Sequence, residues 1–301
     1  MKIKDKFLEE LKSKFGRPKK LSDSLSLFDL GGGIARIYIR YSKLHPRNKT
    51  FYGLRKTDLK LLEGKNSFLC FLWEGQIEPL FIPYIEFEEV FASLKPANDG
   101  QYKAQIYPKD NGTEFYVANS GKYNVEGYFG WNILLNAINS SKVKLIPELT
   151  HHQVQSLLGS IGTFKGYDVW VPQIDRTRLE QKLSQHFIFR NYLPEQSERI
   201  KFIIQEVDVI WLEKGSSSLN ALFEVEHSTP IYSGLLRFND IHLVMPSIRP
   251  NFNIVSNDIK RSLFTKQITR PTFQASGLVN YCSFLEYKDV FHWYNRLRLK
   301  N

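Results

Sequence analysis

Two apolar runs that carry carboxylates set the strongest constraint on this chain. Residues 207–213 read VDVIWLE and residues 220–226 read NALFEVE, with a polar turn at SSSL (216–219) between them. Without their acids both runs would be ordinary core strands, rich in β-branched and aromatic residues. Taking a lone carboxylate into a protein interior costs on the order of several kcal/mol unless it is paired or bound to a metal. A hairpin built from these runs puts Glu224 and Glu226 on one face of a period-2 strand, and Asp208 can lie opposite Glu224. Three acids converging at one strand end repel one another unless a cation stands among them.

The surrounding pattern is an α/β alternation after residue 148 and a β-rich stretch before it. In the first part, a short amphipathic helix (Phe7, Leu8, Leu11, Phe15) precedes a basic linker, GRPKK. Strands are expected at 35–41, 66–73, 79–84, 102–107, 113–118 and 123–129, with helical inserts at 57–63 and 87–94 and a closing helix from Gly130. In the second part, Val154, Leu157, Leu158 and Ile161 mark a helix, GYDVWVP a strand, and residues 175–187 a charged helix. Residues 199–213 read as one long strand, residues 220–228 as the next. PIYSGLLRFNDIHLV starts as a helix and is expected to run into a strand. Residues 257–268 are helical, and a strand and helix close the chain. The expected organisation is α+β with two domains, 1–148 and 149–301.

The charge balance narrows the partners. Formal net charge is +10, and residues 1–20 hold eight Lys/Arg against three Asp/Glu. Such an excess points to polyanions, nucleic acid first. The segment RYSKLHPRNKTFYGLRKTD interleaves Arg40, Lys43, Arg47, Lys49, Arg55 and Lys56 with Tyr41, Phe51 and Tyr52, a composition suited to phosphate and base contact. The same segment also reads as a basic hairpin whose aromatics serve the core. No apolar run is long enough to span a bilayer, and the two cysteines form no zinc spacing or disulfide framework, so a reducing cytoplasm is the default. Gly31–Gly33 lacks the G-K-[ST] of a phosphate loop and reads as a turn.

The acidic constellation resembles the PD-(D/E)xK nuclease superfamily, whose core is a helix, a strand with Asp and a strand with (D/E)-x-K, with E-x-E in some restriction enzymes. The phrase FEVEHSTPIYSGLLRFND also resembles one in bacterial proteins of this superfamily. The resemblance covers roughly residues 149–301 and implies a restriction-endonuclease-like domain with a mixed central sheet. It implies Asp208, Glu224 and the Val225 carbonyl as ligands of Mg²⁺, for which Mn²⁺ can substitute. Glu226 takes the lysine position, as metal ligand or proton acceptor. No proline immediately precedes Asp208, and Lys201 lies too far upstream to supply the missing lysine.

Around this core the residues leave alternatives open. Gln155, with His152 one turn earlier, is either a helix-borne site residue or an exposed amide. Glu206 is a further site acid or a charge at a solvated strand end. Arg237 holds a phosphate or pairs with Asp240. His227 reads as structural, and Ser228 and Thr229 as caps of the helix that begins at Pro230. The resemblance implies Mg²⁺-dependent hydrolysis of duplex DNA by a type II restriction enzyme. It also implies a β-rich recognition domain, by analogy a pseudobarrel, a homodimer on DNA and a cognate methyltransferase. A nuclease of another defence or repair system, and an inactive DNA-binding relative, are the alternatives.

Overall fold

A computed structural model describes residues 3–21, 24–109, 112–143, 148–193, 198–227, 230–246 and 250–299. The chain divides into two compact units, Met1–Leu145 and Ile146–Asn301.

The first unit runs α1 (Ile3–Phe15), β1 (Lys19–Lys20), β2 (Leu27–Leu30), β3 (Ala35–Ser42), β4 (Tyr52–Arg55), α2 (Lys56–Lys60), β5 (Ser67–Trp73), β6 (Leu80–Pro83), α3 (Glu88–Ser93), β7 (Gln101–Tyr107), β8 (Glu114–Val117), β9 (Gly121–Asn124) and α4 (Trp131–Val143). Five strands form a mixed sheet in the order β1-β2-β3-β5-β6, and four form an antiparallel sheet in the order β4-β7-β8-β9. Strand β5 explains why this unit has three layers. Its sequence, SFLCFLW, is apolar at nearly every position, so both faces must be covered. Leu69, Phe71 and Trp73 pack with Tyr52, Ile106 and Phe115 of the antiparallel sheet. Phe68, Cys70 and Leu72 face Phe7 and Leu11 of α1 and Leu134 and Ile138 of α4.

The second unit runs α5 (His151–Phe164), β10 (Asp168–Trp170), α6 (Gln173–Arg176), α7 (Gln181–Ser184), α8 (Glu198–Ile204), β11 (Val209–Leu212), β12 (Leu219–Val225), α9 (Ile231–Val244), β13 (Asn251–Ser256), α10 (Arg261–Ile268), α11 (Pro271–Ser276), β14 (Cys282–Glu286) and α12 (Tyr287–Arg298). Its sheet has the order β10-β11-β12-β13-β14. The first three strands are antiparallel neighbours and the last three parallel, with helices returning the chain between the parallel pairs. Leu222, Ile210 and Ile254 pack one face against Leu235 and Phe238 of α9 and Phe264 of α10. On the other face Trp211 centres an aromatic group, 4.5 Å from Phe223 and 5.5 Å from Trp293 of α12.

Several elements differ from the sequence reading. The expected strand at 199–213 is helix α8 followed by a turn and then β11. Ile200, Ile204 and Val207 are fully buried while Phe202 stands out in solvent, a helical spacing that the β-branched composition disguised. PIYSGLLRFNDIHLV stays helical to Val244, and the strand that follows it is the unassigned NFNIVS, β13. The charged helix at 175–187 is two short helices, and the strand expected at 123–129 ends at Asn124 before a 3₁₀ turn. Lys19 and Lys20 pair with β2 instead of forming a linker.

Helix α5 approaches the sheet closely at Gly162. A methyl group there would lie 2.6 Å from Trp211 Nε1, which itself donates to the Leu158 carbonyl at 3.0 Å. The ring cannot retreat without losing that bond. Gly162→Ala is therefore expected to destabilise the protein by about 1–3 kcal/mol of overpacking. That outweighs the roughly 1 kcal/mol gained in helix propensity, and urea unfolding followed by tryptophan fluorescence measures the difference.

Candidate metal centre

Strands β11 and β12 pair from Val209↔Phe223 onward, so Asp208 stands one step beyond the ladder, level with Glu224. The Val225 N–H has no strand partner at that point and donates to Asp208 Oδ2 at 2.6 Å. One carboxylate oxygen thus closes the end of the ladder and the other, Oδ1, is left for the site. Glu226 follows the strand. Its N–H donates to the Val255 carbonyl at 2.8 Å, and its own carbonyl accepts from Ser256 Oγ at 2.6 Å and Lys260 Nζ at 3.3 Å. Its backbone is fixed by the neighbouring parallel strand.

Glu224 and Glu226 are each only 3% exposed. They lie under α9 at Gly234, where a Cβ would stand 2.6 Å from Glu226 Oε1 and 3.2 Å from Glu224 Cβ. Glycine is required at this point because any side chain would occupy the carboxylates' space. Burial, then the Asp208 charge and more weakly Glu226, push the Glu224 carboxyl well above its ordinary value, against the opposing pull of Arg237. Arg237 Nη1 meets Glu224 Oε2 at 2.5 Å, and its Nη2 reaches Glu206 Oε2 at 3.4 Å. Glu224 Oε1 is buried and has no hydrogen-bond partner among the described residues. An orphaned carboxylate oxygen beside a second carboxylate fits a hard divalent cation.

A second group adjoins Asp208 from the α5 side. Thr150 caps α5 in a reciprocal box with Gln153, which starts the helix at His151. His151 Nε2 lies 3.3 Å from Asp208 Oδ1, and the Val225 carbonyl accepts a hydrogen bond from its ring. Burial lowers the imidazole's pKa, but Asp208, Asp175 and that carbonyl together leave it above the ordinary value. Gln155, one turn on, is fully buried; its Nε2 donates to Asp175 Oδ2 and to the Asp208 carbonyl, each at 3.2 Å. Asp175, on α6, also lies 3.6 Å from His152 Nε2.

The structure therefore brings Asp208, Glu224, Val225, Glu226, Gln155 and Arg237 into one neighbourhood. Gln155 is a buried amide, not a surface one. Glu206 sits in the turn after α8 with its side chain 68% exposed, because the expected strand there is a helix. Lys201 is on α8. His227 is exposed and stacks on Tyr287 with ring centroids 6.0 Å apart. Ser228 and Thr229 lie outside the described residues. The sequence reading missed His151 and Asp175. His151 had a legible signal, the i,i+4 spacing to Gln155 on one helix face. Asp175 comes from a separate helix and had none. Among the described residues, the group whose ligand atoms all lie within 4.8 Å of one another is His151, Asp175 and Asp208, not the expected acid trio.

The other basic candidates belong to the first unit. Arg40 is half-buried on β3, its guanidinium 5.6 Å from the Tyr38 ring centroid. Lys43, Arg47 and Lys49 lie on the β3–β4 loop, which an isolated bridge between His45 and Lys49 closes. Its tip holds Arg47 and Asn48 at φ of 68° and 48°. Phe51 is 46% exposed, with Lys49 Nζ 5.3 Å over its ring. Arg55 and Lys56 are exposed at the far end of β4. The two aromatics flanking this loop divide between roles, since Tyr52 is buried in the core while Phe51 is not.

No described helix is long and apolar enough to cross a membrane. No solved structure matches the chain. The type II restriction enzyme NmeDI of Neisseria meningitidis serogroup C is 25% identical over 159 residues, which cover 48% of this chain and 44% of that protein. The chain thus spans less than half the length of this relative. A family model described as the type II restriction enzyme NmeDI C-terminal domain matches residues 134–300. That match takes in more than half of the chain and every strand of the second unit's sheet, so this protein belongs to the restriction-endonuclease family of the NmeDI C-terminal domain.

Proposed function

We propose that this protein is a Mg²⁺-dependent type II restriction endonuclease with a PD-(D/E)xK-type site of the E-x-E form. The observation that carries the reading is the pair Asp208 and Glu224, level with each other at the end of two core strands, with Glu224 Oε1 buried and unpartnered. Asp208, Glu224 and the Val225 carbonyl would hold Mg²⁺, or Mn²⁺ in its place. The bound ion supplies a polarised phosphoryl oxygen and a water of lowered pKa.

The chain's own residues do the rest. Glu226, buried beside Glu224, accepts the proton of the attacking water. Gln155 holds the Asp208 backbone and thereby the direction of its carboxylate. Arg237, which meets Glu224 at this site, would offer a guanidinium fork to a substrate phosphate. The first unit reads the duplex, with Arg40, Lys43, Arg47, Lys49, Arg55 and Lys56 on the phosphate backbone. Cutting both strands calls for two copies of the site and hence a homodimer on DNA. The setting is a bacterial cytoplasm, where a methyltransferase of the same specificity protects the host sites.

Three outcomes test this reading. Supercoiled plasmid with Mg²⁺ is expected to yield discrete fragments. Asp208→Ala should reduce cleavage by more than the about 10–100-fold typical of losing a group behind the ligands. A smear instead of bands would favour a defence or repair nuclease without sequence specificity, and an inert wild-type chain would leave only a DNA-binding relative. For the DNA face, Lys43→Ala and Arg47→Ala should each make log K against log salt shallower by about 0.9, read by fluorescence anisotropy.

The third outcome follows from Glu224. Its folded pKa is raised, so stability falls as pH rises above the ordinary carboxylate pKa of the unfolded chain, and the penalty is complete above the folded pKa and absent below the unfolded one. Without divalent ions, Glu224→Gln should therefore melt above wild type at pH 8, by about 2–4 °C for each kcal/mol relieved. The gap should close toward pH 5 in thermal scans, while cleavage is lost at every pH.

A further inference from the structure

We propose that His151, Asp175 and Asp208 form a second cation site, suited to a divalent transition ion such as Mn²⁺, beside the E-x-E site and sharing Asp208 with it. One ligand atom from each of these residues already lies within 4.8 Å of the other two, which the E-x-E acids do not achieve among the described residues. The contraction needed to place all three around one ion is small. His151 Nε2 and Asp208 Oδ1, 3.3 Å apart, are at the separation two ligands of a common ion take.

The residues behind this group are arranged as outer partners of a metal site. Asp208 Oδ2 is occupied by the Val225 N–H, which leaves Oδ1 facing His151. Asp175 is held by the Gln155 amide at Oδ2 and by His152 at Oδ1. An independent feature points to a ligand. Gln155 is fully buried with its amide tip inside the cluster, and its Oε1 has no hydrogen-bond partner among the described residues. A buried amide oxygen normally finds a donor, and an ion with its bound waters supplies one. The side chains of His151, Asp208 and Asp175 are 29%, 16% and 16% exposed, so an ion can enter.

The donor set selects the ion. One imidazole nitrogen with two carboxylates suits first-row transition ions, whereas magnesium favours an all-oxygen shell. An ion here would tie α5 and α6 to the ends of β11 and β12 and fix Asp208 from the opposite side to Glu224. The site rests on its own geometry; only the sharing of Asp208 with a catalytic ion rests on the nuclease reading.

The test uses the full chain, free of any polyhistidine extension, with Mn²⁺ as the probe. Titration calorimetry gives affinity, and electron spin-echo modulation reports directly coordinated ¹⁴N. The expected result is an imidazole nitrogen signal that disappears in His151→Asn, with affinity for that site weakened at least about 10-fold. Asp175→Asn should weaken it likewise, while Glu224→Gln keeps the nitrogen signal. Circular dichroism of each variant confirms folding, and the wild-type spectrum alone decides if one fails to fold. Absence of ¹⁴N modulation in wild type, or its persistence in His151→Asn, overturns the site. Magnesium-driven plasmid cleavage is scored separately. Cleavage without the nitrogen signal removes this site and leaves the nuclease reading, and the reverse result does the opposite.

Discussion

The contact on which the rest depends is the one between the Val225 N–H and the Asp208 carboxylate. It lies where the β11–β12 ladder runs out, and it substitutes a side-chain acceptor for the missing backbone one. A buried N–H without a partner would cost about 1–3 kcal/mol, so the fold needs an acceptor at this position. That need places a carboxylate at the strand end, and the second oxygen of the same group is then available for chemistry. Structure and site draw on the two halves of one side chain.

Its neighbours follow from this anchor. The apolar pattern of LFEV forces Glu224 toward α9, into the same layer as Leu222, and Glu226 follows one pleat later. Burial raises the energy of the ionised Glu224, and Arg237 compensates it in part. From the other side, α5 is set by its Thr150 cap and by Gly162 against Trp211. Those two constraints fix the axial position of the helix and so where His151 and Gln155 reach the strand end.

The acidic strand pair was legible in the sequence because its signal is local. An apolar run interrupted by acids at period two has few other readings, and the hairpin turn lies between the runs. In the first unit β3, β5, β6, β7 and β8 were legible for the same reason, with turn residues bounding each, whereas β1, β2 and β4 were not assigned and β9 was placed too far along the chain. What was not legible is what depends on period alone in short β-branched runs. RIKFII looks like a strand by composition and is a helix by the spacing of Ile200, Ile204 and Val207. That error moved Glu206 onto the wrong element. Likewise β13 was hidden, although it fixes the Glu226 backbone, because a parallel neighbour leaves no mark on the residues it pairs with. Asp175 lay beyond local reading altogether, since only the tertiary path of α6 brings it to Asp208.

Gly234 carries a directional consequence. With no side chain at its closest approach, α9 lays bare backbone over Glu224 and Glu226 and leaves no gap between helix and carboxylates. The acids have a solid ceiling. On the proposed nuclease reading, a phosphodiester, far wider than a water molecule, reaches these acids along the open end of the strands, past Arg237 and Asp208. On that reading the direction of approach is set by the absence of one methyl group.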